Sequence, residues 1–358
     1  MKSIAKDHSI VEAPVRNQPL LLYPQSIARR KLPVNLNSDH LPLFSEELER
    51  TIPPTSLLEF QDVRISPDGF LFKGKRILPE SFAFPFQLKE WKLRSLVKFF
   101  ANNYLLRRTR VLDVNVLWIT DHWSKGYFHW FADALPRLFV VRDKLDELVL
   151  MLPWDYQTRD FVTSSLKAFA VKNVGFIDRG EVLKCQRLFL PTHTAPSGSF
   201  NENIIRSVQN ILKTAYADSS YNRPGERIYI SRGRAPKRKI VNEEEVVERL
   251  SAFGFRTIYA EEHSFEEQVR ICSRARYLVS NHGAGLTNML FMNEGGSVLE
   301  LRHQEERITN CYFSLSSALN LNYFYQTCEP EKPDVRTHSA DLLVDPVKLE
   351  KNLRLLVA

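Results

Sequence analysis

The segment 276–301 constrains the fold more than any other stretch of this chain. Its residue pattern is typical of a buried strand, a polar turn, a short helix and a second strand, at 277–279, 280–285, 286–292 and 297–301. Glycine is scarce, with 13 in 358 residues, yet four glycines fall at the junctions of this unit: Gly283, Gly285, Gly295 and Gly296. Parallel strands need such a crossover between them. The segment therefore predicts an α/β protein with a parallel sheet.

The turn Asn281-His282-Gly283-Ala284-Gly285 has the features of an anion site. Glycine lets a ligand approach the main chain closely, and the free N–H groups at the start of a helix attract phosphate. The same residues also suit an ordinary strand–helix turn, with Asn281 as a cap and His282 buried. Both interpretations stay open on the turn alone.

Strands and helices alternate both before and after a polar, turn-rich segment at 217–226, which we take as the domain boundary. The predicted units are an irregular, proline-interrupted arm at 1–45, an N-terminal α/β domain with a β-hairpin extension at 46–216, a C-terminal Rossmann-like domain at 217–345 and a helix at 346–358 that packs across the lobes. The chain should be bilobed, with a cleft.

Charge and apolar runs limit the partners of this chain. There are 49 Lys and Arg against 42 Asp and Glu, and the net charge of +7 suits anionic ligands or a membrane surface but is too small to indicate nucleic acid. The first 30 residues hold no apolar run of a secretory signal, and no run approaches the ~20 apolar residues of a membrane span. We expect a cytoplasmic protein, and peripheral association with the inner face of the cell membrane stays open.

A cluster of basic residues follows the first strand of the second half. Between residues 227 and 241 there is no acidic residue, and the basic ones are Arg227, Arg232, Arg234, Lys237, Arg238 and Lys239. Ligands of open α/β sheets bind at the carboxyl ends of strands, and arginine matches phosphate oxygens in pairs. Arg232 and Arg238 are therefore candidate clamps for a diphosphate, and the alternative is a solvated basic loop.

Two residues at strand ends are candidates for binding the nucleoside of the donor. Glu300 ends the strand after the glycine-bearing turn, where a carboxylate can accept both hydroxyl groups of a ribose. Alternatively, Glu300 pairs with Arg302. We also assign Ser231, at the end of the strand before the basic cluster, to nucleoside binding.

A helix predicted at 128–145 carries His129 and Asp133, which share one face because they are four residues apart. Transfer of a group to a hydroxyl needs a base, and a carboxylate or a carboxylate-held histidine is suited to that task. His129 also fits a satisfied buried histidine, whereas Asp133 among apolar residues needs a partner or a task. No His, Cys or Asp spacing typical of a metal site occurs, so no metal is expected.

Four motifs in this order resemble glycosyltransferase family 61, over about residues 118–301. They are Tyr127-Phe128-His129-Trp130-Phe131-Ala132-Asp133-Ala134-Leu135-Pro136-Arg137, then Ile228-Tyr229-Ile230-Ser231-Arg232 with Arg238 and Asn242-Glu243, then Phe265-Glu266-Glu267-Gln268-Val269, then His282-Gly283-Ala284-Gly285-Leu286-Thr287-Asn288. The order and spacing of the four are more specific than any one of them. The family includes bacterial capsular-polysaccharide enzymes, plant xylan transferases and animal O-linked N-acetylglucosaminyltransferases.

The resemblance implies a GT-B-like fold, with two Rossmann-like domains facing each other across a cleft. It implies an inverting, metal-independent glycosyltransferase without a cofactor, with the acceptor in the N-terminal lobe and a nucleotide sugar in the C-terminal lobe. Asp133 or His129 would deprotonate the acceptor hydroxyl. The donor diphosphate would be bound by Arg232, Arg238, His282, Gly283, Ala284, Gly285, Thr287 and Asn288.

Because the sequence shows no secretory signal, the resemblance favours a bacterial-type member that acts in cell-surface polysaccharide synthesis. The expected donor is UDP-linked, and the expected acceptor is a glycan or lipid-linked glycan. The alternative is a catalytically inactive module that binds nucleotides or polyanions. A Rossmann-type oxidoreductase is disfavoured because Asn288 stands where its Gly-x-Gly-x-x-Gly motif needs a third glycine.

Overall fold

The structure is a computed structural model that describes residues 18–217, 225–305, 309–332, 335, 337 and 339–358. Most of the predicted boundary at 217–226, and residues 1–17 of the predicted arm, lie outside these ranges. The strands are β1 (Leu20–Tyr23), β2 (Ser26–Arg29), β3 (Glu49–Ile52), β4 (Thr55–Ile65), β5 (Leu71–Lys73), β6 (Arg76–Ile77), β7 (Arg108–Leu117), β8 (Val149–Pro153), β9 (Val174–Ile177), β10 (Glu181–Pro191), β11 (Glu226–Ile230), β12 (Arg256–Ile258), β13 (Ala275–Asn281), β14 (Ser297–His303), β15 (Asn322–Pro330) and β16 (Leu342–Leu343).

The α-helices are α1 (Leu93–Ala101), α2 (Tyr127–His129), α3 (Leu135–Phe139), α4 (Asp160–Ala168), α5 (Glu202–Tyr216), α6 (Glu243–Ala252), α7 (Phe265–Arg274), α8 (Cys311–Ala318) and α9 (Pro346–Val357). Two π-helical segments (Asn102–Leu106, Trp130–Ala134) and one long 3-10 segment (Ala284–Phe291) also bear on the site; shorter 3-10 turns lie at Ser38–Leu43, Ser45–Glu47, Pro79–Ser81, Pro85–Glu90, Arg142–Glu147, Trp154–Tyr156 and Ala260–Glu262.

The N-terminal lobe is built on a mixed sheet. Its strand order is β6-β5-β4-β10-β7-β8-β9, and β1 pairs with β4. Strands β10, β7, β8 and β9 are parallel, whereas β4 runs antiparallel to β10, and the turn after β4 starts the predicted hairpin. The α/β class is confirmed, but this mixed sheet does not establish the prediction of two Rossmann-like domains.

The C-terminal lobe contains five parallel strands in the order β12-β11-β13-β14-β15, with β16 antiparallel at the edge. Helices cover both faces of this sheet, because their buried residues fall into two separate cores. Helices α6 and α9 pack on one face, while α7, α8 and the segment Ala284–Phe291 pack on the other. The chain order reverses between β11 and β13, and in such sheets the crevice beyond those strand ends binds ligands.

The two lobes share one hydrophobic core. Phe131 of the N-terminal lobe stacks on Phe265 of α7, with ring centroids 5.2 Å apart, and meets Phe291 edge-on. All three rings are fully or almost fully buried. The lobes are therefore in direct contact below the cleft.

The arm and the last helix both cover the C-terminal lobe. Residues 20–23 pair with β4, and the chain then crosses to the second sheet, where Phe44 is buried against Phe313, Tyr323 and Tyr325. Helix α9 buries its leucines against the same sheet as α6. It covers its own lobe, in contrast to the prediction that it packs across to the other.

Candidate functional site

The predicted helix at 128–145 is a composite of α2, the π-helical segment Trp130–Ala134 and α3, and we call residues 127–139 the site helix. It ends earlier than predicted, and Arg142–Glu147 forms a 3-10 turn. Pro136 has no N–H to donate to the preceding turn, and the chain changes from π to α geometry just before it. Single π turns are frequent at functional sites, and this one carries Asp133.

His129 and Asp133 form a hydrogen-bonded pair. His129 Nδ1 lies 2.7 Å from Asp133 Oδ2, and Ser197 Oγ donates to the same carboxylate oxygen at 3.0 Å. The Asp133 side chain is 2% exposed, whereas that of His129 is 25% exposed and packs on the Trp123 ring. The pair thus presents an imidazole to solvent and keeps its carboxylate inside. Ser197, in a loop remote in sequence, had no signal that could have predicted it.

A second histidine–aspartate pair lies at the carboxyl ends of β7 and β10. His193 Nε2 is 2.8 Å from Asp121 Oδ2, while Asp121 Oδ1 accepts from the backbone N–H groups of Trp123 and Ser124. Burial would raise the pKa of Asp121, but the hydrogen bond and charge of His193, aided by Arg137, hold it well below its usual range. Sequence reasoning missed His193, although parallel neighbouring strands end at the same edge.

Arg137 connects the two pairs electrostatically. Its guanidinium is almost fully buried, Nε donates to the Pro191 carbonyl at 2.8 Å, and the charges of Asp121 and Asp133 both act on it. Burial lowers the pKa of Arg137, and the two carboxylates oppose that shift. A nearby buried cation favours the ionised form of a carboxyl group, and Arg137 contributes in this way to the lowered pKa of Asp121.

The basic cluster of the C-terminal lobe contacts the glycine-bearing turn. A Cβ built on Gly283 would lie 2.5 Å from Arg232 Nη1 and 2.8 Å from its Cζ, so the guanidinium packs directly on this glycine. Burial, and then the charge of Arg238, lower the pKa of Arg232. The Nε atoms of Arg232 and Arg238 are both buried without a hydrogen-bond partner among the described residues. Two such donors side by side are suited to an anion.

The backbone at Arg238 adopts an unusual conformation. Its φ is +58°, in the left-handed region that non-glycine residues rarely occupy, and the Asn281 side-chain amide donates to its carbonyl. Asn281 ends β13, so the predicted anion-binding turn directly supports the basic loop. Local strain of this kind persists where the surroundings fix it.

His282 and Glu300 form a pair in the interior. His282 Nδ1 bonds to Glu300 Oε1, and Tyr323 OH donates to Glu300 Oε2 at 2.5 Å. Burial opposes ionisation, but His282, Arg302 and Tyr323 lower the pKa of Glu300. Because both carboxylate oxygens are occupied and the side chain is 1% exposed, the predicted ribose contact of Glu300 has no support in this geometry. For the alternative, a pair with Arg302, the structure shows an effect of the Arg302 charge on the Glu300 pKa, while His282 and Tyr323 are the hydrogen-bonded partners of the carboxylate.

A cleft of about 280 Å³ lies between the lobes. From the N-terminal lobe it is lined by Tyr127, Asp160 and Phe161, and from the predicted donor residues by Ser231, Arg232, Ala284, Gly285 and Asn288. Ser231 is oriented by Glu243, whose Oε1 accepts its hydroxyl at 2.6 Å. The structure thus brings these five predicted residues together at the carboxyl ends of β11 and β13.

Two predicted diphosphate ligands, Asn288 and Thr287, are almost fully buried. The Asn288 amide accepts from Tyr127 OH at 2.6 Å and donates to Gln268 Oε1 at 3.0 Å, which links the site helix to α7. Thr287 is buried beside Tyr312, and its Oγ1 has no hydrogen-bond partner among the described residues. The side chain of Asn288 is therefore occupied by protein partners, although Asn288 also lines the cleft.

The His129–Asp133 pair on the site helix is separated from the glycine-bearing turn at 281–285 by two aromatic rings. Phe128, next to His129, meets Tyr312 with centroids 5.6 Å apart, and Tyr312 meets His282 at 5.0 Å. His129 and Asp133 do not line the 280 Å³ cleft. In the described part of the chain, no group of three His, Cys, Asp or Glu could hold a metal ion.

Residues 127–299, which include all four motifs, match the family model described as Glycosyltransferase 61. This segment is therefore similar to glycosyltransferases of that family. It is 26% identical over 221 residues to the EGF domain-specific O-linked N-acetylglucosamine transferase of Mus musculus, covering 55% of this chain and 42% of that protein. It is 36% identical over 103 residues to the Protein O-linked-mannose beta-1,4-N-acetylglucosaminyltransferase 2 of Bos taurus, covering 28% of this chain and 18% of that protein. The match thus spans less than half the length of these relatives.

No helix among the described residues has the length and apolar content to cross a membrane.

Proposed function

We propose that this protein is an inverting glycosyltransferase that moves a sugar from a nucleotide sugar to a hydroxyl group of an acceptor. The observation that carries the proposal is the placement of Arg232 and Arg238, with buried unpaired Nε donors, against the glycine-bearing turn at the switch point of the second sheet. The match of residues 127–299 to the family 61 model supports the same reaction class.

In this proposal the donor diphosphate lies between the arginines and the turn. Arg232 and Arg238 donate to its oxygens and stabilise the charge that develops as the bond from the anomeric carbon to phosphate breaks. The loop carrying His282, Gly283, Ala284 and Gly285 contributes its backbone, and Glu300 orients His282. Ser231, at the end of β11, faces the nucleoside.

His129 is the proposed base and Asp133 the residue that orients it. The carboxylate bonds to Nδ1, which leaves Nε2 to take the proton of the acceptor hydroxyl. The acceptor oxygen then bonds to the anomeric carbon while the nucleoside diphosphate leaves on the opposite side, so a single displacement inverts the configuration. No metal is needed in this scheme, because the arginines neutralise the leaving group.

We propose a GT-B-like arrangement in which the N-terminal lobe binds the acceptor. The donor is UDP-linked, and UDP-N-acetylglucosamine is the first to test, because both relatives described above are named for N-acetylglucosamine transfer. The acceptor is a glycan or lipid-linked glycan in cell-surface polysaccharide synthesis at the cytoplasmic face. The names of the animal relatives neither support nor oppose this role.

The experiment measures nucleoside diphosphate release. A thermal-shift panel of UDP-, GDP-, CMP- and dTDP-sugars identifies the donor, and release of the diphosphate is then followed with and without glycan acceptors in the presence of EDTA. Acceptor-dependent release supports the proposal. A nucleotide that stabilises the protein, without release on any acceptor or hydrolysis, would instead favour a module that binds nucleotides and has lost catalysis.

A further inference from the structure

Residues 86–108 of the N-terminal lobe carry an unusual set of exposed apolar side chains. Leu93, Leu105 and Leu106 are 76%, 80% and 78% exposed, and Phe86 and Val97 are 58% and 60% exposed. Among the described large apolar residues only Val347, on α9, is as exposed as these leucines. Leu93 and Val97 are four residues apart in α1 and so share one face of this helix.

The opposite face of α1 is already used by the fold. Phe99 is buried edge-on against Phe70, Phe72 and Trp91, with ring centroids 5.3 to 5.9 Å apart. Leu93 and Val97 therefore form a second apolar face of α1 that the lobe does not need for its own core, and Leu105 and Leu106 are exposed in the π-helical segment that follows. Exposed apolar side chains gathered in one segment mark a candidate contact site.

Basic residues alternate with these apolar side chains along the sequence. The segment 86–108 contains six Lys and Arg and one acidic residue, Glu90. Five of the cations are exposed: Lys89, Lys92, Arg94, Lys98 and Arg108. We call these five, together with Phe86, Leu93, Val97, Leu105 and Leu106, the basic apolar face.

The composition favours a lipid surface over a protein partner. Protein interfaces are depleted of lysine at their centre, whereas three of the five exposed cations here are lysines. Helices that lie in a membrane interface combine apolar side chains with Lys and Arg, and each such cation near an anionic leaflet adds electrostatic attraction.

An aromatic path leads from this face to the proposed base. Phe86 stacks on Phe84 with ring centroids 5.6 Å apart, Phe84 meets Trp123 at 5.5 Å, and Trp123 meets His129 at 5.0 Å. A face that contacts a bilayer would thus lie at the outer end of a row of rings that ends at His129. Sugars and apolar chains both pack well on aromatic surfaces.

We propose that the basic apolar face docks this protein on an anionic bilayer, and that the acceptor is a lipid-linked glycan that reaches His129 along the path from Phe86 to Trp123. The docking stands on the surface alone. The identity of the acceptor rests on the proposed function.

Docking is tested by co-sedimentation of the full chain with vesicles, without any sugar substrate. The vesicles are phosphatidylcholine alone, or phosphatidylcholine with about 30% phosphatidylglycerol. The variant V97S/K98E removes one apolar and reverses one basic residue of the face. The matched control V347S/K348E makes the same two changes on α9, where Val347 and Lys348 are also exposed.

We expect the wild-type chain to bind the anionic vesicles, and this binding should weaken at higher salt. The binding should fall about tenfold in V97S/K98E and should be unchanged in the control variant. Absence of binding by the wild-type chain, or equal loss in both variants, overturns the proposal. So does a wild-type oligomer in light scattering that V97S/K98E dissociates, since a second copy would then occupy the face. Docking without transfer would refute only the proposed function, and transfer that is equally fast to a soluble glycan would refute only the lipid-linked acceptor.

Discussion

His129 and Asp133 have different surroundings, and these assign them different tasks. The carboxylate is almost fully buried and accepts from two groups, whereas the imidazole is partly exposed beside Trp123. From sequence the two were equal candidates for the base, because spacing shows only that they share a helix face. Their exposure, and the contact with Ser197, depend on how the lobe packs.

Replacing His129 by Gln should lower kcat by about 10²- to 10⁴-fold, because the imidazole that takes the acceptor proton is lost. Asp133→Asn should lower kcat less, since the imidazole remains but loses its orientation. Steady-state rates with saturating donor measure both effects. His40→Gln is the control, because His40 contacts Tyr325 on the C-terminal lobe. Full turnover in His129→Gln would refute the assignment.

Asp121 should make the stability of the protein sensitive to acid. The folded state holds its pKa below that of the unfolded chain, so its contribution is complete above the unfolded pKa and is lost as pH falls toward the folded pKa. Unfolding midpoints of wild type and Asp121→Asn, measured from about pH 6 to about pH 3, should therefore converge as pH falls. A constant difference across that range would contradict this account.

The loop after β11 shows why neighbouring arginines differ. Arg232 packs on Gly283 and keeps a buried Nε without a partner, while Arg234 is exposed, pairs with Glu262 and lies over the Tyr259 ring at 4.3 Å. Both belong to the basic cluster that the sequence predicted. Only the fold of the loop, held by Asn281 at Arg238, separates the two kinds of residue.

Arg232→Ala should lower kcat/KM for the donor about a hundredfold, because the developing charge on the diphosphate loses a donor. The kcat/KM of Arg232→Lys should lie between those of the wild type and of Arg232→Ala, since lysine keeps the charge but lacks the planar fork of arginine. Arg234→Ala, the matched change on the same loop, should alter kcat/KM less than about threefold, because exposed pairs contribute little. Equal losses in the two alanine variants would mean that general positive charge, and no defined clamp, binds the donor.

Local sequence pattern predicted the second half of the chain well. The strands predicted at 277–279 and 297–301 lie within β13 and β14, and the cap of α7 is visible in the sequence as Ser264 and Glu267, which bond reciprocally. The bounds of β10 do not follow from its sequence, because Lys184 and Gln186 interrupt its apolar pattern although β4 and β7 pair with it on both sides. Likewise Glu300 could not be assigned from its position, since its partners His282 and Tyr323 come from other strands.

The arm joins the two lobes. Residues 20–23 extend the first sheet, and Phe44 fills a pocket of aromatic rings on the second, where it is fully buried. The sequence predicted irregular structure from its prolines but could not show where the arm packs. That outcome depends on aromatic residues nearly 300 positions away.

Phe44→Ala should destabilise the protein by about 3–5 kcal/mol, the usual cost of emptying a buried phenylalanine site. Leu41→Ala, in the 3-10 turn that ends just before Phe44, should cost about 1 kcal/mol or less because Leu41 is exposed. Thermal and urea unfolding measure the two variants side by side. Equal, small effects would show that the arm does not contribute to the stability of the C-terminal lobe.

The position of a bound nucleoside diphosphate tests the account as a whole. In a crystal structure of the full chain with UDP, we predict that the β-phosphate lies within hydrogen-bonding distance of Arg232 and Arg238, beside Gly283. Its free side should face the lobe that carries His129. A β-phosphate bound away from both arginines would contradict the proposed site. So would a β-phosphate that is separated from His129 by the body of the protein.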